Sequence, residues 1–488
     1  MERSVELFRK RLAGEWLEPL LQKAVRELFE MGVVAFSALP EGARVLLVDE
    51  DPSVFLGGFL AGVALGKAVF VGNPAWGERE WEQVGAVLRP DLVWGKTPLE
   101  TSAKVHFWRS WPRPQLSRDA PIFMIGSRFH DSRPKPVSSK IASLWSFSEV
   151  SLWGGKAVED GLELSGKIMI PTGGSGGRVR FAYHDWASLM ASVIGTQAFM
   201  GGCPIDACCV LPLYHVSGLM QVLRTFATGG RLFLGDWKSW VSGDLPEGDL
   251  SGYSLSLVPT QLSRFLEVAG SEVFLKKFKV VFLGGAPASA ALLEQGRVLG
   301  LPLSPTYGMT ETAAMVAAVQ PKDFLEGERG VGRALPHAAI AIEEGGIVVR
   351  SESLFQGYFP EKPCVCMCYN TGDTGVIDAD GRLSAVRRKD AVIITGGEKV
   401  DPRVVEDALL AIDGVTAAHV LGLEDPDWGQ RVGVVYAAES FVEEEDLMQQ
   451  LRGELAAFMV PKSWARVEAI PVDEKGKVSA VALRDILS

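Results

Sequence analysis

Pro171-Thr172-Gly173-Gly174-Ser175-Gly176-Gly177-Arg178-Val179-Arg180 follows directly on the apolar run Ile168-Met169-Ile170. Four glycines, two hydroxyl residues and two arginines share that stretch. Glycine lets successive backbone N–H groups turn toward an anion, hydroxyls donate further hydrogen bonds, and guanidinium groups supply charge. The stretch reads as a cradle for a phosphate chain. Residues 178–183 alternate like a strand, and Asp185 stands where a helix N-cap belongs. The expected context is strand, loop, strand.

Two motifs compete for the loop. A Walker-type loop needs G-x-x-x-x-G-K-[ST]. Gly95-Lys96-Thr97 ends like one, but Pro90 occupies the place of its first glycine. Gly173-Gly174-Ser175-Gly176-Gly177 satisfies G-x-S-x-G, the nucleophile elbow of serine hydrolases, with Ser175 as the nucleophile. An elbow requires a helix directly behind its serine, which the alternation of 178–183 argues against.

The chain has 488 residues, 47% hydrophobic, and a net charge of −11. It is long enough for a full core and more than one domain. The acidic balance excludes nucleic acid as the main partner, while a local cationic nucleotide pocket remains compatible with it. Six cysteines make no disulfide scaffold. Cys203, Cys208 and Cys209 lie near apolar segments. Cys364, Cys366 and Cys368 alternate without the C-x-x-C spacing of a metal site. The charged, amphipathic start lacks a signal-peptide core. The longest apolar stretch, 54–66, is too short to span a bilayer and reads as a buried helix feeding a strand at 68–71. A cytoplasmic protein, not membrane-spanning, is expected.

Short β-branched runs at 44–49, 68–71 and 91–94 alternate with helical-period segments, which implies parallel strands with crossover helices. Further strands are expected at 208–212, 255–259 and 280–283. The last enters Gly284-Gly285-Ala286-Pro287 and a helix near 290–298, the kind of turn where α/β sheets place ligands. Beyond about 335 the texture becomes short strands with glycine turns, as at 347–350 and 375–383. The expected fold is α/β: a large N-terminal domain of α/β layers with mixed sheets plus a β-rich subdomain (1–387), and a small α+β C-terminal domain (388–488).

Several blocks taken together resemble the adenylate-forming superfamily of acyl-CoA synthetases. Residues 172–181 are similar to its T-S-G-T-T-G-x-P-K-G loop, with Gly173 for a hydroxyl residue, Val179 for proline and Arg180 for lysine. In the family's order follow Leu211-Pro212-Leu213-Tyr214-His215-Val216-Ser217-Gly218, Tyr307-Gly308-Met309-Thr310-Glu311 and Thr371-Gly372-Asp373. Arg388-Lys389-Asp390, Gly396-Gly397-Glu398-Lys399-Val400 and Gly476-Lys477-Val478 complete the series. The resemblance implies ATP, Mg²⁺ and CoA as co-substrates and partners of a small carboxylic acid. Thr172, Gly174, Ser175, Gly176, Gly177 and Arg180 would hold phosphates. Gly285, Ala286, Tyr307, Gly308, Thr310, Asp373 and Arg388 would hold the rest of ATP.

Glu311 would ligate Mg²⁺. Lys477, with His215, Thr310 and Glu311, would be catalytic. The mobile C-terminal domain would turn about Asp390, bringing Gly396, Gly397, Glu398 and Lys399 to the CoA side. Each residue also has a bland reading: His215 as a structural histidine, Asp373 as a turn cap, Glu311 as a helix cap, Lys477 as a solvated charge.

Within the superfamily, Gly72-Asn73-Pro74-Ala75-Trp76-Gly77, the variant loop and residues 211–221 look like the o-succinylbenzoate–CoA ligases of menaquinone or phylloquinone synthesis. Arg224 lies in an apolar segment after His215, and a cation there wants an anion. In those ligases an arginine at the matching place binds the second carboxylate, so His215, Ser217 and Arg224 would form the acyl site. Alternatively Arg224 lies on an exposed helix face or pairs with a protein acid. Another aryl- or acyl-CoA ligase, or an enzyme loading a carrier protein, stays open. A monomer or homodimer is expected.

Overall fold

The computed structural model describes residues 2–96, 163–173, 179–364, 367–388, 392–395, 398–426, 428–439, 443–472 and 478–487. They form a mixed α/β protein of two compact units. One comprises Met1–Gly235, Gly308–Met315 and Ser351–Met367; the other comprises Asp236–Tyr307, Val316–Arg350 and Cys368–Ser488.

The first unit is built on a six-stranded sheet. Its order is Tyr358–Phe359, Val179–Asp185, Lys167–Gly173, Ala68–Val71, Arg44–Val48, Leu92–Gly95. The last four strands are parallel to one another, as the alternation of runs implies, while Val179–Asp185 runs antiparallel to both of its neighbours, Lys167–Gly173 and Tyr358–Phe359. The helix Pro52–Ala64 starts at Asp51, whose carboxylate accepts from Ser53 N at 2.8 Å, with proline at its first turn. All its residues except Pro52 and Val63 are buried, the mark of a helix apolar on every side. Lys67, which ends that apolar run, is itself buried and donates to the carbonyls of Leu39 and Pro40 at 2.9 and 3.0 Å.

In the second unit Ser254–Leu257, Val280–Leu283 and Leu303–Met309 pair in parallel. The helix Ala290–Val298 begins at Ser289, whose hydroxyl accepts from Leu292 N. Two expected strands are shorter than their runs. Pro259 starts the helix Pro259–Leu266 instead of ending a strand, and the strand before Leu211-Pro212 is Ala207–Cys209. The 375–383 run is the hairpin of Asp373–Ile377 with Arg382–Arg388.

Ile393–Thr395 belongs to a separate sheet with Glu398–Val400, Gly429–Ala438, Val415–Asp425 and Ser463–Arg466. One face of that sheet packs Val432, Val434 and Tyr436 against Val405, Leu409, Leu447 and Leu451 of the helices Pro402–Leu410 and Glu444–Glu454. Among the described residues no helix is long and apolar enough to cross a membrane.

Gly57 brings Pro52–Ala64 against the helix Pro19–Ser37: a Cβ there would collide with Leu28, its backbone included. Gly57→Ala gains about 1 kcal/mol of helix propensity but overpacks at a cost of about 1–3 kcal/mol. The thermal midpoint is expected to fall by several degrees in a fluorimetric melt; an unchanged or higher midpoint would show that the helices can part.

Candidate active site

The glycine loop is held at both ends by a hairpin. Lys167–Gly173 and Val179–Asp185 pair antiparallel, with Thr172 opposite Arg180 and Gly173 opposite Val179. Residues 174–178, including Gly174, Ser175, Gly176 and Gly177, lie outside the described residues. A hydroxyl and a guanidinium therefore flank the mouth of the loop. Val179 N donates to Gln83 Oε1 at 2.8 Å, which fixes the exit strand. Strand leads to strand here, so the helix an elbow needs behind Ser175 is replaced by Val179–Asp185.

The far end of the hairpin is tied by charge. The Asp185 carboxylate caps the helix Trp186–Phe199 through Ser188 N at 2.9 Å. It also accepts from Gln356 Nε2 at 2.7 Å and meets Lys167 Nζ at 3.3 Å. Burial pushes its pKa up, but hydrogen bonds from Ser188 and Gln356 and the Lys167 charge outweigh burial and hold it below the ordinary value.

Thr310–Thr312 is a single 3₁₀ turn, followed by Ala313 and Ala314 at φ of 52° and 75°. This left-handed pair throws the chain back so closely that a Cβ on Gly308 would strike the Ala314 carbonyl. The turn presents Glu311, buried at 6% exposure, whose Oε1 accepts from the Tyr358 hydroxyl at 2.7 Å. Oε2 has no partner among the described residues. Thr310 is half-buried, and its carbonyl accepts from His184 Nε2 at 2.8 Å. A carbonyl only accepts, so Nε2 bears the proton and Nδ1 faces the Ser188 hydroxyl at 3.2 Å. Full burial pushes the His184 pKa down to about 4, so the ring is neutral near pH 7.

In the second unit the Tyr307 hydroxyl donates to Asp373 Oδ2 at 2.6 Å, both residues being buried. Thr371 builds the turn beneath them: its hydroxyl accepts from Asp373 N and donates to the Ile347 carbonyl. Arg388 is the strand partner of Asp373, which joins two sequence blocks at backbone level. Gly285 at φ 81° and Ala286 are exposed in the turn behind Val280–Leu283.

The helix Val216–Thr228 begins at His215, buried and edge-on to the Tyr214 ring at 4.8 Å. Ser217 is exposed, and its carbonyl accepts from Gln221 Nε2. Arg224, two turns along, is only 5% exposed, and its guanidinium has no hydrogen-bond or ion-pair partner among the described residues. Burial lowers its pKa to about 10, which leaves it charged at neutral pH. An exposed helix face is ruled out, and no described acid answers the charge.

Farther along, Thr395 pairs with Glu398, so Gly396 and Gly397 alone connect their strands. Glu398 is exposed. Val472 bridges Val478 across the segment that holds Lys477. Gly396, Gly397, Lys477 and Asp390 lie outside the described residues, as do the side chains of Arg388 and Lys399. Cys203, Cys364 and Cys368 are exposed free thiols, and Cys208 and Cys209 are buried. Cys366 lies outside the described residues. Among those described, no group of three or more His, Cys, Asp or Glu is placed to hold a metal ion.

Tyr358 and His184 are absent from the sequence blocks, yet they hold Glu311 and Thr310. His184 immediately precedes the helix cap Asp185, the one nearby sequence signal; Tyr358 sits in a short edge strand with none.

The profile of "AMP-binding enzyme" matches residues 132–359, and that of "AMP-binding enzyme C-terminal domain" matches residues 404–477. The 2-succinylbenzoate–CoA ligase of Listeria monocytogenes is 30% identical over 336 residues, 66% of this chain and 70% of that protein. That of Enterococcus faecalis is 32% identical over 337 residues, 65% and 69% respectively. The o-succinylbenzoate CoA synthetase of Bacillus subtilis, in complex with its acyl-adenylate intermediate, superposes with a TM-score of 0.70 at 20% identity, covering 94% of this chain and 91% of that one. An amide bond synthetase of Marinactinospora thermotolerans gives 0.72 at 23% identity, covering 99% of each. At such identities the structural likeness speaks for the fold.

His184 links folding to pH. Its folded pKa of about 4 lies below the unfolded 6.5, so the unfolded chain binds the proton more readily. The corresponding stability is fully present above pH 6.5 and is lost as pH falls toward 4, about 3 kcal/mol in all. His184→Gln is expected to lack that acid-side decline, so that the wild-type stability, measured by denaturation, falls relative to the variant's as pH drops from 6.5 toward 4. Parallel curves across the window would refute the assignment.

Proposed function

The chain belongs to the AMP-binding enzyme family, and from that premise we propose that it is an AMP-forming acid–CoA ligase acting on 2-succinylbenzoate. The carboxylate would attack the α-phosphorus of ATP and expel pyrophosphate; the CoA thiolate would then displace AMP from the acyl-adenylate. The observation that carries the choice of acid is Arg224. A guanidinium withdrawn from water without a counter-charge costs several kcal/mol. A substrate with a second carboxylate would offset that cost; a monocarboxylate would not.

Attacker and target are both anionic, so the residues mainly neutralise and align. Thr172, Ser175 and the amides of Gly174, Gly176 and Gly177 would receive the β,γ-phosphates, with charge from Arg180. The donor set fits Mg²⁺ arriving with the nucleotide, since that ion takes one or two carboxylates together with substrate phosphates. Glu311 would hold it through Oε2, and when bound the ion supplies neutralisation of phosphate charge. Thr310 would donate to the α-phosphate.

Tyr307 would give adenine a face beside Gly285 and Ala286, with Gly308 leaving room, while Asp373, steadied by Tyr307, would accept from the ribose hydroxyls near Arg388. His215 and Ser217 would line the acyl site with Arg224. On this reading Lys477 stabilises charge at the reacting carboxylate. The C-terminal domain, 388–488, turns about Asp390 to bring Gly396, Gly397, Glu398 and Lys399 toward CoA. The substrates are water-soluble small molecules, consistent with a cytoplasmic enzyme.

Pyrophosphate release with succinylbenzoate, benzoate and fatty acids, with mass detection of the CoA product, tests the reading; a preference for a monocarboxylate would overturn it. Arg224→Ala is expected to raise KM for succinylbenzoate on the order of 30-fold or more and to leave KM for ATP unchanged. Arg224→Met, which removes a buried charge without a described partner, is expected to raise the thermal midpoint of the unliganded protein. A fall would mean that the guanidinium serves the fold.

Lys477→Ala is expected to abolish acyl-adenylate formation while supplied acyl-adenylate still reacts with CoA. Equal loss in both half-reactions would contradict the division of labour.

A further inference from the structure

We propose that Tyr358 is a positioning residue that fixes the orientation of the phosphate-side cation, Arg180, and of the metal-side carboxylate, Glu311, at once. This rests on the nucleotide-binding reading of those two residues. Tyr358 lies opposite Ala182 in the antiparallel pair, and Arg180 is two residues from Ala182, hence on the same sheet face. That makes Arg180 and Tyr358 diagonal neighbours, a separation that long side chains bridge. The Arg180 guanidinium lies 4.0 Å from the centre of the Tyr358 ring. The hydroxyl of the same ring donates to Glu311 Oε1 at 2.7 Å. The Phe355 ring packs edge-on to it at 4.9 Å, and Phe355 N donates to the Glu311 carbonyl at 2.8 Å, so ring and carboxylate share one support.

Each contact has a distinct consequence. The phenol occupies Oε1 and leaves Oε2 of Glu311 for a hard cation, with its direction set by a charge-assisted hydrogen bond. The Arg180 guanidinium carbon sits over the ring face, a contact that a lysine ammonium, a strongly hydrated point charge on a flexible stem, reproduces less well. The cation–π contact thus gives a physical reason for arginine at position 180. Tyr358 touches neither phosphate nor metal on this assignment; it acts through the groups that do.

The test separates the two contacts by calorimetric titration of ATP into the full-length protein, with and without Mg²⁺. Tyr358→Phe keeps the ring and loses the hydroxyl. It is expected to leave metal-free ATP affinity unchanged and to raise the Mg²⁺ concentration for half-maximal ATP binding on the order of 10-fold. Tyr358→Leu loses both contacts and is expected to weaken metal-free ATP binding severalfold as well, with Arg180→Gln adding little to that loss in the double variant. Full additivity of Tyr358→Leu and Arg180→Gln, or an unchanged Mg²⁺ requirement in Tyr358→Phe, would overturn the proposal.

Should Tyr358→Leu fail to fold, Tyr358→Phe and Arg180→Lys carry the two arms, the latter expected to weaken metal-free ATP binding despite its retained charge. If wild type binds Mg·ATP but activates no succinylbenzoate, the substrate reading fails while these titrations still decide this one. A wild type that binds no ATP overturns both.

Discussion

The backbone pairing between Lys167–Gly173 and Val179–Asp185 is the constraint from which the candidate site is built. Glycine loses more backbone freedom on ordering than any other residue, so the strands on either side of the glycine run matter. The ladder brings its two ends to a fixed separation and sets Thr172 against Arg180. The entry strand is clamped on its other side by the parallel strand Ala68–Val71, and the exit strand by Tyr358–Phe359. At the closed end Asp185 joins Lys167, Gln356 and the first turn of a helix. A slip of one residue would turn Arg180 to the other face of the sheet.

Charge satisfaction divides the buried polar groups of this unit into complete and incomplete ones. Lys67 is buried but answered by two backbone carbonyls, and Asp185 is answered by an amide, a cation and a helix terminus. His184 avoids the difficulty by staying neutral, spending its single proton on the Thr310 carbonyl. These groups are complete as they stand. Arg224 is charged, buried and unanswered among the described residues, and Glu311 keeps one oxygen without a described partner. Folding alone does not favour such incompleteness, because each uncompensated buried group lowers stability. A second carboxylate at Arg224 and a metal–nucleotide complex at Glu311 would complete these two side chains, whereas their satisfied neighbours need no ligand.

The Tyr307–Asp373 pair illustrates a different economy. The Asp373 carboxylate is held in direction by the Tyr307 phenol, which donates to it at 2.6 Å. The Thr371 hydroxyl then fixes the backbone beneath. The pattern is the same as Tyr358 with Glu311: an aromatic hydroxyl donates to a buried acid and sets its direction.

Much of this was legible along the chain because it is encoded locally. Period and punctuation gave the strands at 68–71 and 280–283, the helix Ala290–Val298 and the cap at Asp185, and the alternation of 178–183 already told against a strand-to-helix elbow. The order of short blocks carried the family. Burial and partnership were not legible. Tyr358 meets Glu311 across 47 residues of sequence and His184 meets Thr310 across 126, and no spacing rule relates them. Whether Arg224 was exposed, paired or alone was likewise undetermined by an apolar neighbourhood. The sequence by itself determined which groups this protein possesses and where the backbone turns to display them. The tertiary structure decided which of those groups are satisfied, because satisfaction depends on side chains that only packing brings within hydrogen-bond reach.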